Sequence, residues 1–129
     1  MYLIDTSIWA EILLGTPLGD KALEIIKKNE CFALDITLAE LSKWRISQNF
    51  STDGIESLID LSSNGILNCS IKGLIRSGAL WNTANNTSKG RQVGLMDCII
   101  AACAEEHGFT VLTKDRHFSR FESIRAEII

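Results

Sequence analysis

The sequence lacks the features that mark membrane-spanning, exported and multidomain chains. No apolar run reaches the roughly 18 residues that a membrane-spanning helix needs. Asp5 and Glu11 interrupt the apolar N-terminal segment and no basic region precedes it, so we do not expect a secretory signal peptide. No internal repeat or low-complexity segment divides the 129 residues. We therefore expect residues 1–129 to form a single cytoplasmic domain.

The cysteines do not follow a metal-binding or disulfide pattern. The four are Cys31, Cys69, Cys98 and Cys103; none has C-x-x-C spacing, and three of them lie in apolar surroundings. Cys103 and His107 are four residues apart on a predicted helix, but a structural zinc site takes four ligands and the sequence offers no second pair. We expect free thiols that pack as small hydrophobic side chains.

Acidic residues are missing from one long stretch of the chain. Residues 61–96 contain no Asp or Glu but include Lys72, Arg76, Lys89 and Arg91. The whole chain carries a net charge of −3, so it has no general attraction to nucleic acid. Two interpretations of the stretch stay open: a surface that meets a polyanion, or a solvated helix followed by a loop.

Short apolar segments alternate with helical patterns along the chain. Five segments are typical of strands: residues 2–5, 31–34, 66–69, 109–113 and 123–129. Helices are expected between them, the clearest over 70–84 and 95–107, and the Asn-, Thr-, Ser- and Gly-rich residues 82–94 predict a loop. This alternation predicts an α/β fold in which helices cover both faces of a parallel sheet.

Four carboxylates lie where such a sheet could gather them. Each follows an apolar run or begins a helical one: Asp5, Glu40, Asp97 and Asp115. Parallel strands align their carboxyl ends at one edge of the sheet, where α/β proteins bind ligands. Like charges in one site raise each other's pKa, and a divalent cation is the usual counter-charge. Metal-dependent hydrolysis is therefore the first hypothesis.

Three of these carboxylates also have an ordinary structural explanation. Glu40 could complete a capping box with Thr37. Asp97 could favour a helix N-terminus electrostatically, and Asp115 could cap a short turn through residues 118–121. Asp5 has the weakest such explanation, because a carboxylate that ends an apolar strand costs desolvation unless it is paired.

Four pieces of the sequence carry a resemblance to a known family. They are Tyr2–Ser7, Ile36–Leu41, Asp97–Ala102 and His107–Asp115. In this order and at these spacings they resemble the PIN-domain ribonucleases, most closely the toxins of the VapBC type. The resemblance implies a three-layer α/β/α PIN-like domain with a central parallel sheet of about five strands.

The resemblance also implies a role for each matching residue. The acids Asp5, Glu40, Asp97 and Asp115 would hold Mg²⁺ or Mn²⁺, with the hydroxyl groups of Thr6 or Ser7 and of Thr113 beside them. Carboxylates suit Mg²⁺, which keeps waters and binds substrate phosphate rather than entering a closed protein cage. Many family members carry a further acid two residues after the last one, where this chain has His117.

Together these features predict a Mg²⁺-dependent endoribonuclease, the toxin of a type II toxin–antitoxin pair, with a VapB-type antitoxin and a second copy of the chain as partners. Candidates for RNA phosphate contacts are Lys89, Arg91, Lys114 and Arg116. Two alternatives stay open: a catalytically silent PIN module that binds RNA or protein, and an RNA-processing nuclease without an antitoxin. Trp44, between Lys43 and Arg45, suits partner binding and packing equally.

Overall fold

A computed structural model describes residues 1–86 and 90–129. Within these residues five strands form: β1 (Tyr2–Ile4), β2 (Cys31–Leu34), β3 (Ile66–Leu67), β4 (Thr110–Thr113) and β5 (Arg125–Ile128). Six α-helices accompany them: α1 (Thr6–Leu14), α2 (Pro17–Lys28), α3 (Asp35–Ser47), α4 (Ile55–Ser62), α5 (Ile71–Asn86) and α6 (Leu95–His107). A 3₁₀ helix, Arg116–Arg120, follows β4. No helix of this described part is both long and apolar enough to cross a bilayer.

The strands form one parallel sheet in the order β3-β2-β1-β4-β5. The central strand β1 pairs with β2 on one side and with β4 on the other, Tyr2 lying opposite both Cys31 and Thr110. The order of the strands therefore reverses direction between β1 and β4. In an open α/β sheet the crevice at such a switch point is the place where ligands bind.

Two hydrophobic cores lie on the two faces of the sheet, and the strand sequences explain both. Adjacent residues in a strand point to opposite faces. Leu3 and Val111 enter the core shared with α5 and α6, whereas their neighbours Ile4 and Leu112 enter the core shared with α1 to α4. Both faces are therefore covered, and the predicted three-layer architecture with a parallel five-stranded sheet is confirmed.

One prediction about the local structure was wrong. Helix α5 continues to Asn86, so residues 82–86 are helical rather than part of a loop. The helix continues because Leu80 and Ala84 are buried and because the amide of Asn85 bonds to the backbone of Val93. The side-chain oxygen of Asn85 accepts from Val93 N at 2.8 Å. The rest of the predicted loop includes Lys89, which lies outside the described residues.

A tight connection fixes α1 against α2. Gly15 ends α1 in the left-handed region at φ 66°, where glycine has no steric penalty. Thr16 then caps α2 by accepting a hydrogen bond from Gly19 N at 3.0 Å, and Pro17 occupies the first helical position. A Cβ on Gly19 would lie 2.5 Å from the backbone oxygen of Glu11. The two helices can therefore approach this closely only with glycine at position 19.

Candidate active site

The candidate site lies at the carboxyl ends of β1 and β4, where the strand order reverses. Asp5 directly follows β1, and its backbone N–H donates to the carbonyl of Leu112 in β4 at 3.0 Å. Asp115 follows β4 by two residues. Helices α3 and α6 begin at this same edge, and they carry Glu40 and Asp97. The predicted sheet edge therefore gathers residues from four elements.

Asp5 is a buried carboxylate held by two hydroxyl groups. Only 3% of the residue is exposed. Oδ2 of Asp5 accepts hydrogen bonds from Ser7 Oγ at 2.5 Å and from Thr113 Oγ1 at 2.8 Å. Burial raises the pKa of Asp5, while these hydroxyls and nearby backbone N–H groups act in the opposite direction. The hydroxyl groups of Ser7 and Thr113 thus fix the orientation of this carboxylate.

Glu40 does not belong to a capping box, so its structural explanation was wrong. Helix α3 begins at Asp35, which places Thr37 inside the helix and Glu40 in its second turn. Glu40 Oε1 instead accepts a hydrogen bond from Thr6 Oγ1, at 2.6 Å. Burial raises the pKa of Glu40, the Thr6 bond opposes this, and the charge of Asp5 raises it further. Glu40 therefore faces the site rather than the end of its own helix.

Asp97 is the carboxylate whose pKa is affected by all three of the other acids. It lies in the first turn of α6, as the structural explanation required. However, burial and then the charges of Asp5, Asp115 and Glu40 raise the pKa of Asp97 to about 7, against a weaker lowering by Arg91. Proximity to a helix N-terminus would lower a carboxyl pKa. The opposite shift places all four carboxylates in one electrostatic site.

Asp115 caps the turn that follows β4, as its structural explanation predicted. Its Oδ1 accepts from the backbone N–H of His117 at 2.8 Å and lies 2.9 Å from Nδ1 of the same histidine. The backbone N–H of Asp115 in turn donates to Thr113 Oγ1 at 2.9 Å. His117, at the position where the sequence comparison led us to look for a fifth acid, is thus bonded to the Asp115 carboxylate. Capping and membership of the acidic site are both roles of Asp115.

The donor set fits a hydrated hard cation better than a closed metal site. Among residues 1–86 and 90–129, no ion pair involves Asp5, Glu40 or Asp97. In the same ranges, no group of three or more His, Cys, Asp or Glu side chains is arranged to hold a metal ion. Mg²⁺ typically takes only one or two carboxylates and keeps several waters. Carboxylates that form no ion pair within these ranges leave their oxygens free for that mode of binding.

The predicted basic residues differ in their surroundings. Lys114 forms an ion pair with Glu11 of α1, and Thr16 Oγ1 donates to the other oxygen of Glu11 at 2.6 Å. Arg91 is exposed and its charge acts on Asp97, while Arg116 is exposed on the 3₁₀ helix. Glu11 was missed by the sequence reasoning, although it lies one helical turn after Ser7 on the same face of α1.

A groove of about 590 Å³ opens beside the carboxylates, between α1 and α3. Its lining includes Thr6 and Ser7 from α1, Glu40 and Trp44 from α3, and Met96 next to Asp97. Trp44 is half-buried, whereas Trp9 is fully buried in the core. The groove and the acidic site therefore share walls.

The chain is an α/β protein with a parallel sheet, and its carboxylates lie at the switch point, the place where such sheets commonly bind ligands. The family comparison makes the assignment more specific. The sequence-family model described as PIN domain matches residues 2–124 of this chain. The chain belongs to the PIN domain family. Among curated proteins, no sequence matches this chain.

Solved structures with the same fold include toxin–antitoxin proteins. A chain from VapBC2 of Rickettsia felis, bound to a DNA fragment from its promoter, is similar with a TM-score of 0.74, 24% identity and coverage of 98% of this chain and 97% of that one. A chain from DNA-bound VapBC of Salmonella typhimurium is similar with a TM-score of 0.74 and 22% identity, and the match covers 98% of this chain and 96% of that one. VapC20 of Mycobacterium tuberculosis, a toxin that cleaves the sarcin-ricin loop, is similar with a TM-score of 0.74 and 17% identity. The match covers 97% of this chain and 99% of that one.

Proposed function

We propose that this PIN domain is a Mg²⁺-dependent endoribonuclease. One observation carries the proposal: the fold brings four acidic residues to the edge of the sheet where the strand order reverses, and there burial and the charges of the other three raise the pKa of Asp97 to about 7. An unpaired acidic site of this kind costs free energy unless a cation enters it. Perturbed carboxylates at a ligand-binding edge are typical of catalytic sites. RNA is the proposed substrate because a structurally similar protein, VapC20, is described as cleaving the sarcin-ricin loop.

Each residue of the site has a proposed part in this reaction. Asp5, Glu40, Asp97 and Asp115 would hold a hydrated Mg²⁺, with one or two of them as direct ligands and the others acting through its waters, and Mn²⁺ could substitute. When bound, the ion would stabilise the charge that builds on the phosphate and help water to act as nucleophile. Ser7 and Thr113 keep one oxygen of Asp5 engaged through their hydroxyl protons, and Thr6 does the same for Glu40. These bonds pre-orient the carboxylates before substrate arrives.

We further propose that the enzyme is the toxin of a type II toxin–antitoxin pair that acts in the cytoplasm. The support is the likeness in fold to chains of VapBC complexes. A VapB-type antitoxin would then be its inhibitor. Expression of the chain alone in a bacterium should arrest growth if this role is right. Normal growth with intact nuclease activity would instead favour an RNA-processing enzyme without an antitoxin.

A homodimer is proposed from exposed apolar residues on α5. Ile71 and Ile75 are 79% and 76% exposed, one helical turn apart, and Leu74 beside them is 45% exposed. Such a stripe on a helix is typical of a protein interface. The replacement Ile75→Glu should shift the molar mass measured by light scattering from twice that of the chain to that of one chain. A wild-type mass equal to one chain would refute the dimer.

The experiment for the nuclease uses purified full-length chain and a structured RNA. Cleavage should require Mg²⁺, should stop with EDTA, and should fall in Asp97→Asn by more than the roughly 10- to 100-fold that changing a neighbour of a metal ligand costs. Asp60→Asn is the matched control, because it removes the same charge from an exposed position on α4. It should cleave like the wild type.

Two results would contradict the proposal. Cleavage that persists in EDTA would remove the metal from the reaction. Full activity in Asp97→Asn would show that the carboxylate site is not the catalytic one. A folded wild type that binds RNA but never cleaves it would favour the alternative, a catalytically silent module, against which the four gathered carboxylates argue.

A further inference from the structure

We propose that the groove between α1 and α3 holds one unpaired nucleotide of the RNA next to the scissile phosphate, with its base on Trp44 and its phosphate near Lys43. This proposal rests on the proposed nuclease function, because it assigns a subsite of the same active site. It makes Trp44 and Lys43 binding residues that select unpaired RNA.

The face of α3 that reaches the carboxylates also carries the groove. Glu40, Lys43, Trp44 and Ser47 follow one another at spacings of three, one and three residues, so they lie on one side of the helix. All four line the groove. Glu40 is fixed in the acidic site by Thr6, at 2.6 Å. An occupant that contacts Trp44 therefore lies one helical turn from a catalytic carboxylate.

The opposite wall leaves room for a flat ring. It is formed by small residues of α1: Thr6, Ser7 and Ala10. The groove of about 590 Å³ falls within the roughly 300–1,000 Å³ typical of small-molecule sites. A single nucleotide is a ligand of that size. A duplex is much too wide, so the groove would accept unpaired RNA only.

The chemistry of the lining favours a nucleotide over another apolar ligand. Trp44 is half-buried: it packs against the core on this face of the sheet and also lines the groove, where a base could contact it. Lys43 is exposed, and its charge acts on Glu40. A chain with a net charge of −3 needs local cations to attract a phosphate near its acids. An aromatic ring beside a basic side chain is the common arrangement for binding single-stranded nucleic acid.

The main test removes the base rather than the protein side chain. The cleavage position in a single-stranded RNA oligonucleotide is mapped first, and an abasic ribose is then placed at each nucleotide that flanks it. At one flanking position, loss of the base should raise KM of the wild type about 5- to 100-fold, the range that loss of one stacked base gives. This arm needs no protein variant and so does not depend on how well a variant folds.

Protein variants then connect that position to the groove. Trp44→Leu should raise KM about as much as the abasic RNA does, with the loss on KM rather than kcat, and Trp44→Phe should restore part of it. In Trp44→Leu the abasic substitution should have no further effect, because the two changes remove the same contact. Lys43→Gln should raise KM and weaken its salt dependence, and Lys43→Arg should restore both.

Matched controls lie outside the groove. Trp81→Leu changes an exposed tryptophan of α5 and Lys27→Gln changes an exposed lysine of α2, and both should leave KM unchanged. Equal KM for intact and abasic RNA at every flanking position would overturn the subsite while leaving the nuclease intact. A wild type without cleavage would refute the nuclease instead. If Trp44→Leu weakens binding of a protein inhibitor but not of RNA, the groove is a protein site and the proposal fails.

Discussion

Asp97→Asn should stabilise the metal-free protein at pH 8 while removing its activity. At that pH, which lies above the pKa of about 7, the wild type must keep Asp97 ionised in a partly buried site that it shares with other acidic residues. The asparagine side chain of the variant would have nearly the same shape as a protonated aspartate but could never carry its charge. The variant therefore avoids two free-energy costs of the wild type: the desolvation of a charged carboxylate at position 97 and its repulsion from Asp5, Asp115 and Glu40.

The size of the effect follows from the pKa of Asp97. That pKa is raised from the ordinary value of 3.8 to about 7. Each unit of pKa shift corresponds to about 1.4 kcal/mol, so the upper limit is about 4 kcal/mol. Asp97 is only partly buried, so screening by solvent reduces the value. We expect an increase of about 2 kcal/mol in the free energy of unfolding.

The pH dependence has a definite sign. Between about pH 4 and pH 7 the folded protein retains a proton on Asp97 that the unfolded chain has released. Stability contributed by this group is therefore fully present below pH 4 and is lost as the pH rises to 7. The wild type should lose stability over that interval, and Asp97→Asn should lose less. The two proteins should differ most at pH 8 and least at pH 4.

Urea unfolding in EDTA at pH 4, 6 and 8 measures this directly. The midpoint for Asp97→Asn should exceed that of the wild type at pH 8, and the difference should shrink as the pH falls. Asp60→Asn, from an exposed position, is the control and should follow the wild type. A variant less stable than the wild type at pH 8 would refute the reasoning, since it would mean that Asp97 makes a stabilising contact as a carboxylate.

Two further predictions concern the elements that support the site. Gly19→Ala should destabilise the fold by about 1 to 3 kcal/mol, because the added Cβ would lie 2.5 Å from the backbone oxygen of Glu11; a thermal melt no lower than that of the wild type would contradict this packing. Glu11→Gln should lose the ion pair to Lys114 at a cost of about 1 kcal/mol or less at neutral pH. That difference should disappear as the pH falls below 4.5, because the bonds from Lys114 and Thr16 lower the pKa of Glu11, and an unchanged difference in acid would rule the pair out.

Most strands and helices could be predicted from local sequence patterns, because apolar patterns indicate which side chains are buried. Parallel strands buried on both faces are short apolar runs, and the runs at residues 31–34 and 110–113 are strands of the structure. Helix α6 ends at His107, before Gly108 in the left-handed region at φ 70°. Composition was a poorer guide in α5. The polar residues 82–86 remain helical because Ala84 packs in the core and the side chain of Asn85 bonds to Val93.

The site was less predictable, because spacing along the chain does not determine hydrogen-bond partners. The spacing of Thr37 and Glu40 is that of a capping box, yet helix α3 begins at Asp35 and Glu40 bonds to Thr6 instead. Asp115 kept its capping role and also contributes charge to the acidic site. Lys114, predicted to contact RNA, is held by Glu11. Such pairings depend on which elements pack together at the edge of the sheet.

We propose that these carboxylates form a site for a hydrated divalent ion. Electron paramagnetic resonance of Mn²⁺ titrated into the full chain tests it most directly, because bound ions lose the signal of free Mn²⁺. The wild type should bind Mn²⁺ in competition with Mg²⁺, Asp97→Asn should bind it at least tenfold more weakly, and Asp60→Asn should match the wild type. Equal binding by the wild type and Asp97→Asn would place the ion elsewhere and contradict the claim.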